Sequence, residues 1–298
     1  MDDSTPLAPG LYLVATPIGN LEDITLRALR VLRQADRIAC EDTRQTAKLL
    51  GHFGITTPTV SYHAHNEAAR ANELLAALQH GGRIAVVSDA GTPGIADPGA
   101  LLACEAIAAG IAVFPIPGAN AAISALIASG LPAERFAFHG FLPSKEGARR
   151  TALEALRDTL THSEPATHIF YEAPHRIVAT LEDVVAIFGA AHRVALAREL
   201  TKLHEEFLRG TAAEVFAALQ LRPGIRGEMV LLLDGTPALT LRPAGEATHT
   251  TLGAEVAALI KSGVSEKDAL KQAAKSRGLS KSEAYREWQR TQPRKRSS

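Results

Sequence analysis

Short apolar runs recur along this chain, each closed by a polar or Gly/Pro-rich break and followed by apolar residues at helical spacing. The first run is Leu11-Tyr12-Leu13-Val14-Ala15-Thr16, and Pro17-Ile18-Gly19-Asn20 breaks it. Asp23 then stands where a helix cap belongs, ahead of Ile24, Ala28, Val31, Leu32 and Ala35. The same reading predicts strands over 37–40, 59–62, 84–87 and 112–115, with helices ending near Leu50, spanning 67–79 and covering about 100–109. Strands that alternate with helices build a mainly parallel sheet covered on both faces.

A second unit starts near Pro117. It carries a helix from Ala119, a strand over 136–138, a helix from about Lys145, a strand over 168–171, a helix from Pro174 and strands over 194–197 and 229–233. The pattern leaves its pairing directions open, so its sheet is expected to be mixed. Residues 236–248 are rich in Pro, Gly and Thr and read as a linker. Beyond them lie three short helical patterns. The first ends at Gly263, the second has Ser265 as cap with Asp268 three residues on and stops at Gly278, and the third opens with the capping box Ser280-Lys281-Ser282-Glu283 and stops before Pro293. The expected organisation is thus an α/β domain over 1–117, a second α/β domain over 118–235, the linker, and a helical, helix-turn-helix-like domain over 249–298.

Charge changes this picture at the C-terminus. The whole chain is formally neutral, yet residues 261–298 hold eleven Lys and Arg against four Asp and Glu, leaving that segment at +7 and residues 1–260 at −7. A basic end on an acidic chain points to a polyanionic partner, with a solvated helical tail as the alternative. Lys271, Lys275, Arg277, Lys281 and Arg286 are the candidate contacts to such a polyanion. No apolar run approaches the roughly 20 residues of a membrane span, and the opening Met1-Asp2-Asp3-Ser4 carries acids where an export signal carries bases. Cytoplasmic residence is expected. Cys40 and Cys104 both sit among apolar neighbours and are expected to be buried thiols.

The loops after the strands carry the candidate chemistry. Ser88-Asp89-Ala90-Gly91-Thr92-Pro93-Gly94-Ile95-Ala96-Asp97-Pro98-Gly99 follows one strand and precedes a helix. Its glycines and prolines fix a tight loop with uncovered backbone, at the edge where open α/β sheets bind ligands. Asp89 is positioned to accept from a ligand amine or hydroxyl; a rigid turn capped by Asp89 and Asp97 is the alternative. Pro115-Ile116-Pro117-Gly118-Ala119-Asn120-Ala121 similarly leads a strand into a helix. Polar residues also gather at 41–44, 170–176 and 197–202, either as a polar cleft or as rim salt bridges such as Glu172 with Arg198. The G-x-G-x-x-G, Walker A and G-x-S-x-G patterns are absent, which disfavours the common nicotinamide, ATP and hydrolase sites. His63-Ala64-His65 lacks further ligands in metal spacing, and no metal is expected.

Residues 11–25, 88–99, 170–176 and 198–202 together resemble the small-subunit ribosomal RNA methyltransferases of the tetrapyrrole-methylase superfamily. The resemblance runs from about Leu11 to Asp234 and continues into the helical tail. It implies two α/β domains with S-adenosylmethionine (SAM) in the cleft between them, a homodimer, and 2′-O-methylation of a cytidine in the decoding region of 16S ribosomal RNA. It places Ile18, Asp89, Gly91, Thr92, Gly94, Asn120, Ala121 and Tyr171 at the cofactor. Ala96 and Ala173 stand where serine is expected, and Asn120-Ala121 replaces a serine-containing pair. Methyl transfer to a hydroxyl benefits from a base. Glu199 and Lys202 as a pair, and Glu172, are the candidates, Lys202 acting only as a neutral amine. Two SAM-dependent alternatives of the same fold act on a tetrapyrrole or on a protein side chain. Outside that class stand a non-catalytic ribosome-associated RNA-binding protein and, weakened by the missing fingerprint, a nicotinamide oxidoreductase.

Overall fold

The computed structural model describes residues 6–63, 66–160, 164–236, 256, 259–260, 264–276, 284–286 and 288. Most of the expected linker, the helix end at Gly263, the capping box over 280–283, and Arg277 and Lys281 lie outside the described residues.

Five strands form the first sheet: β1 (Gly10–Val14), β2 (Arg37–Cys40), β3 (Thr59–Ser61), β4 (Arg83–Val87) and β5 (Val113–Ile116). They run in the order β3-β2-β4-β1-β5, and every pairing is parallel. Alternation along β1 explains why both faces are buried. Tyr12 and Val14 join the cluster beneath α1 (Leu26–Gln34) and α2 (Thr43–His52), whereas Leu11 joins the one beneath α3 (Glu67–Gln79) and α4 (Ala100–Ala108).

One cap differs from expectation. Asp23 closes a single 3-10 turn that Asn20 caps, and α1 starts later, with the Thr25 hydroxyl accepting from Ala28 N at 3.1 Å. Pro17 and Gly19 allow that extra turn between strand and helix. Cys104 is also corrected: it lies on the exposed side of α4, while Cys40 is buried.

The second sheet contains β6 (Phe136–Phe141), β7 (Thr167–Glu172), β8 (Arg193–Arg198), β9 (Glu206–Thr211) and β10 (Met229–Asp234) in the order β6-β7-β10-β8-β9. Only β6 and β7 pair in parallel; β10 runs antiparallel to both neighbours, and β9 is antiparallel to β8. The sheet is mixed. One face carries α6 (Glu146–Leu160), α7 (Ile177–Phe188) and α8 (Ala212–Gln220), and the other carries α5 (Ala121–Ser129). Ile18, from the first loop of the first sheet, is buried in the cluster that α5 makes with the second.

The C-terminal residues form a separate compact unit. There α9 (Glu266–Ser276) has the Ser265 hydroxyl accepting from Asp268 N at 3.3 Å, as its capping pattern predicts. Ala269, Ala273, Ala284 and Trp288 are buried together, and Lys271 and Arg286 are exposed.

Behind the second sheet, Arg149 of α6 and Asp183 of α7 form an ion pair at 2.7 Å, with side chains only 6% and 5% exposed, and Arg150 joins it at 2.9 Å. Removing the acid strands a buried guanidinium, which costs about 3–5 kcal/mol. Asp183→Asn is therefore expected to lower the denaturant midpoint by that equivalent, read by chemical unfolding. A change under about 1 kcal/mol would mean the helices relax and hydrate Arg149.

Candidate functional site

The site forms where the parallel strands of the first sheet end. Past β4 the chain reverses, so that Gly91 pairs antiparallel with Thr16 beyond β1: Thr16 N donates to Gly91 O at 2.8 Å and Gly91 N to Thr16 O at 3.1 Å. The Thr16 hydroxyl, itself buried, donates to Ser88 O at 3.2 Å. The third loop is tied in by Thr92, whose hydroxyl donates to Ala119 O at 3.2 Å and accepts from Asn120 Nδ2 at 3.3 Å. Asn120 then caps α5 by accepting from Ile123 N at 3.0 Å. Three loops distant in sequence thus become one rigid rim.

Between this rim and the second sheet lies a cavity of about 380 Å³, a size suited to a small-molecule ligand. Ile18, Asp89, Gly91, Thr92, Asn120, Ala121, Tyr171 and Glu172 line it, as do Asp97, Phe141, Leu200, Glu228 and Val230. The walls are mostly apolar; the polar groups on the first-sheet side are predominantly acidic. Asp89 is held by Asp42 N, which donates to its Oδ1 at 3.0 Å. Burial pushes the Glu41 carboxyl up, and the Asp89 charge adds to the effect. Asp97 is pushed up to about 6, first by burial and then by Glu41, with Asp89 adding to this and a hydrogen bond from Ser88 opposing it. Across the cavity, burial raises the Tyr171 phenol, and Asp97 contributes to that shift. Phe138 and Phe141 pack on its ring at 4.9 and 5.7 Å between centroids.

A second group of residues joins the two halves beside the cavity. Lys202 Nζ donates to Glu199 at 2.8 Å and to Glu228 at 3.2 Å, and Glu228 N donates to Glu199 at 3.0 Å. Glu199 and Thr201 have φ of 53° and 65°, left-handed values that are costly for residues with a Cβ. Two glycines make room for the pair: a Cβ on Gly19 would collide with Lys202, and one on Gly227 would collide with Glu199. Lys202 and Gly19 belong to a shallow depression that also includes Asn20, Leu21, His52 and Leu203.

The tetrapyrrole (corrin/porphyrin) methylase family model matches residues 10–216. A ribosomal RNA small subunit methyltransferase I from Halalkalibacterium halodurans is 49% identical over 284 residues, covering 92% of this chain and 93% of that protein. One from Synechocystis sp. is 46% identical over 275 residues, covering 92% and 95%. The chain belongs to this family of methyltransferases. The crystal structure of diphthine synthase superposes with a TM-score of 0.56 at 14% identity, covering 75% of this chain and 89% of that one, and so shares the fold.

Within this methyltransferase, the cofactor residues expected from sequence converge on the cavity, except Gly94. Gly94 does not line it: with φ at 82° its N donates to Pro98 O at 3.2 Å and closes the loop. Glu172 touches the cavity, but its side chain is fully buried. Its oxygens accept from Ala173 N at 2.8 Å and the Thr180 hydroxyl at 2.7 Å and ion-pair with Arg176 at 3.1 Å. The Glu172–Arg198 bridge considered from sequence is replaced by this Arg176 pairing, and Arg198 instead binds Glu206 at 3.0 Å. Glu172 is thereby spent on holding β7 to α7.

A base role for Lys202 needs a neutral amine. Burial pulls its pKa down, but the hydrogen bonds to Glu199 and Glu228 outweigh this and leave it raised, so the geometry favours an ammonium. The hydrogen bond from Lys202, working against burial, keeps Glu199 below the usual carboxylate range. Neither residue lines the cavity. Asp97 and Glu228 do line it, and the sequence pattern marks neither as a cavity residue. Asp97 reads only as a cap, and nothing in the sequence marks Glu228 beyond its place just before a strong strand.

The raised Asp97 pKa has a signed consequence for stability. The native state binds this proton more tightly than the unfolded chain does. The resulting stabilisation is complete below the ordinary value of 3.8 and is lost as pH rises through about 6. Asp97→Asn is expected to flatten the pH dependence of the melting temperature across that window and leave the variant relatively more stable above it. Parallel wild-type and variant curves would contradict the burial of this carboxyl.

Proposed function

We propose that this protein transfers a methyl group from SAM to the 2′-hydroxyl of a cytidine in the decoding region of 16S ribosomal RNA, acting on the small ribosomal subunit in the cytoplasm as a homodimer. The observation that carries the reading is the acidic-rimmed cavity at the sheet edge, in a chain whose relatives over nine-tenths of its length are named as small-subunit ribosomal RNA methyltransferases. SAM carries a sulfonium, an ammonium and a flat purine. Asp89 and its neighbours offer negative charge to the cations, while Ile18, Phe141 and Val230 offer apolar walls to the ring. When bound, SAM supplies an activated methyl group whose donor sulfur leaves neutral. No helix among the described residues is long and apolar enough to cross a membrane, and no cluster of three or more metal-ligating side chains occurs among them.

What the chain must supply is alignment, which contributes several kcal/mol when reacting atoms are held in contact. The Glu199–Lys202 pair is suited to this as a preset ion pair that presents a cation and an acceptor to the nucleotide beside the cavity mouth. Lys271, Lys275, Arg277, Lys281 and Arg286 are proposed to grip RNA phosphates. Of these, Lys271 and Arg286 have described, exposed side chains.

Purified small subunits incubated with methyl-tritiated SAM are expected to gain label in one ribose-methylated cytidine, located by nuclease mapping. Label in protein or in a tetrapyrrole, with none in RNA, would overturn the reading. In the same assay Lys202→Met or Glu199→Gln should lower methyl transfer at saturating SAM by about 10–100-fold while SAM affinity stays within about 3-fold. Unchanged turnover would remove that residue from the chemistry. Lys271→Glu with Arg286→Glu should weaken RNA binding and reduce the slope of log affinity against log salt by about two, with SAM binding unaffected. An unchanged slope would exclude these two as phosphate contacts.

A further inference from the structure

We propose that Leu203 is a wedge that parts the target nucleotide from its neighbour in the RNA, and that the shallow depression beside it holds the neighbour's base; this rests on the methyl-transfer reading above. A 2′-hydroxyl reaches an enclosed cavity when its nucleotide has left the base stack. The nucleotide joined to it then lies on the surface beside the cavity mouth. The depression formed by Gly19, Asn20, Leu21, His52, Lys202 and Leu203 has that position. Lys202 stands on its border with the cavity: Glu228, which accepts from Lys202 Nζ at 3.2 Å, lines the cavity itself. Leu200, at the start of the same loop, lines the cavity too.

Leu203 is 94% exposed, whereas Leu200 is 8% exposed. Single exposed leucines are ordinary on protein surfaces. What distinguishes this one is the turn that carries it. Glu205 N donates to Lys202 O at 3.1 Å, which makes Leu203 and His204 the tip of a four-residue turn. Thr201 N donates to Glu205 Oε2 at 2.6 Å and braces that turn. The cost appears at Thr201, whose φ is 65° and whose hydroxyl is buried with no hydrogen-bond partner. Costs of this kind persist where function holds them in place. An apolar side chain held out on a fixed tip is what insertion into a base stack requires.

The surroundings favour RNA over a second copy of this chain as the occupant. Leu203 is flanked by Lys202 and His204, and exposed Arg44, Lys48 and His52 recur at four-residue spacing along one face of α2. The last of these lines the depression. Arg44 is paired with Asp42, but Lys48 donates to the neutral Gln45 at 2.9 Å and keeps its charge for a phosphate. Glu22 adds one acid at the edge. A base can lie on Leu21 and Leu203 while the phosphate beside it meets His52 or Lys48. A leucine ringed by polar groups makes a poor centre for a subunit interface, where apolar contact is continuous.

The test is single-turnover methyl transfer to purified small ribosomal subunits, at saturating SAM and saturating subunits, for wild type, Leu203→Ala, Leu203→Asn and Leu203→Met. Leu203→Ala and Leu203→Asn should lose about 10–100-fold in rate through misplacement of the ribose. Leu203→Met, which keeps an apolar side chain of similar reach, should recover most of it. SAM affinity and subunit affinity should each stay within about 3-fold, and the melting temperature within about 1 °C, since so exposed a side chain adds little to the fold. Bound wild-type protein should make the nucleotide next to the labelled one more reactive to 2′-hydroxyl acylation, and Leu203→Ala should remove that gain. A wild-type rate in Leu203→Ala, no acylation gain with wild type, or an effect confined to subunit affinity would overturn the wedge and leave the methyl-transfer reading in place. So would a changed sedimentation coefficient in Leu203→Ala, which would mean that a second copy covers the leucine. Wild-type protein that binds SAM and labels no RNA would overturn both.

Discussion

Two backbone hydrogen bonds between Thr16 and Gly91 govern the geometry of the site. Strands β1 and β4 run parallel, so the chains leaving them would ordinarily diverge into separate helices. Pairing Thr16 with Gly91 in the antiparallel sense forces the chain after Val87 to reverse within a few residues. That reversal puts Asp89 at the tip, beside the first residues after β2, where the Asp42 amide meets it. The buried Thr16 hydroxyl locks the same turn through Ser88 O. Each such bond is worth about 1 kcal/mol net, and breaking one would leave a buried amide unpaired at greater cost. The rim is therefore a consequence of backbone satisfaction, and the side chains on it inherit fixed directions.

A second constraint follows from where those loops lead. Ile18 leaves the Thr16 end of the bridge and is buried against α5 and the second sheet, while Lys202 returns from the second sheet to lie on Gly19. The two halves are thus interlocked next to the cavity by an apolar residue going one way and a charged one coming back. The left-handed backbone at Glu199 and Thr201 is sustained by this interlock, because Glu199 is simultaneously held by Lys202 and by the Glu228 amide. Strain at one end of the cleft, near Lys202, is matched by strain at the other, at Ala96.

The parts of this fold that were legible in the sequence are those in which local pattern and tertiary demand agree. The runs at 11–16 and 84–87 read as strands because β1 and β4 are central and covered on both faces. The helix over 67–79 matched its periodicity from end to end. Strand β9 was not foreseen: it is an edge strand, Glu-Phe-Leu-Arg-Gly-Thr, whose Glu206 is used for ion pairs with Arg198 and Arg222 and whose polar positions imitate a loop. Glycine-rich loops marked the edge where the cavity lies, since their composition and their position after strands are both local facts. The environments of the individual acids were not legible in the same way. In sequence, Glu172, Glu199 and Asp97 are each simply an acid after a strand, and what separates them is whether Arg176, Lys202 or Glu41 folds in beside each one.

That separation also explains how charge is distributed along the chain. Asp89 and Asp97 line the cavity, and Glu41 and Asp42 stand close to them, a set that attracts a cationic donor and repels phosphate. A ribose brought to such a rim arrives flanked by phosphates, so the rim alone disfavours the substrate it is proposed to serve. Attraction must come from groups outside it. Close to the cavity, the cation Lys202 is already shared between two carboxylates, and Arg44 is engaged by Asp42, which leaves little unspent positive charge there. The excess of bases in residues 261–298 is the counterpart in sequence of this acidic body, and the phosphate contacts proposed above fall within it. A formally neutral protein divided in this way can bind a polyanion at one place while keeping an anionic pocket at another, with salt weakening the first function far more than the second.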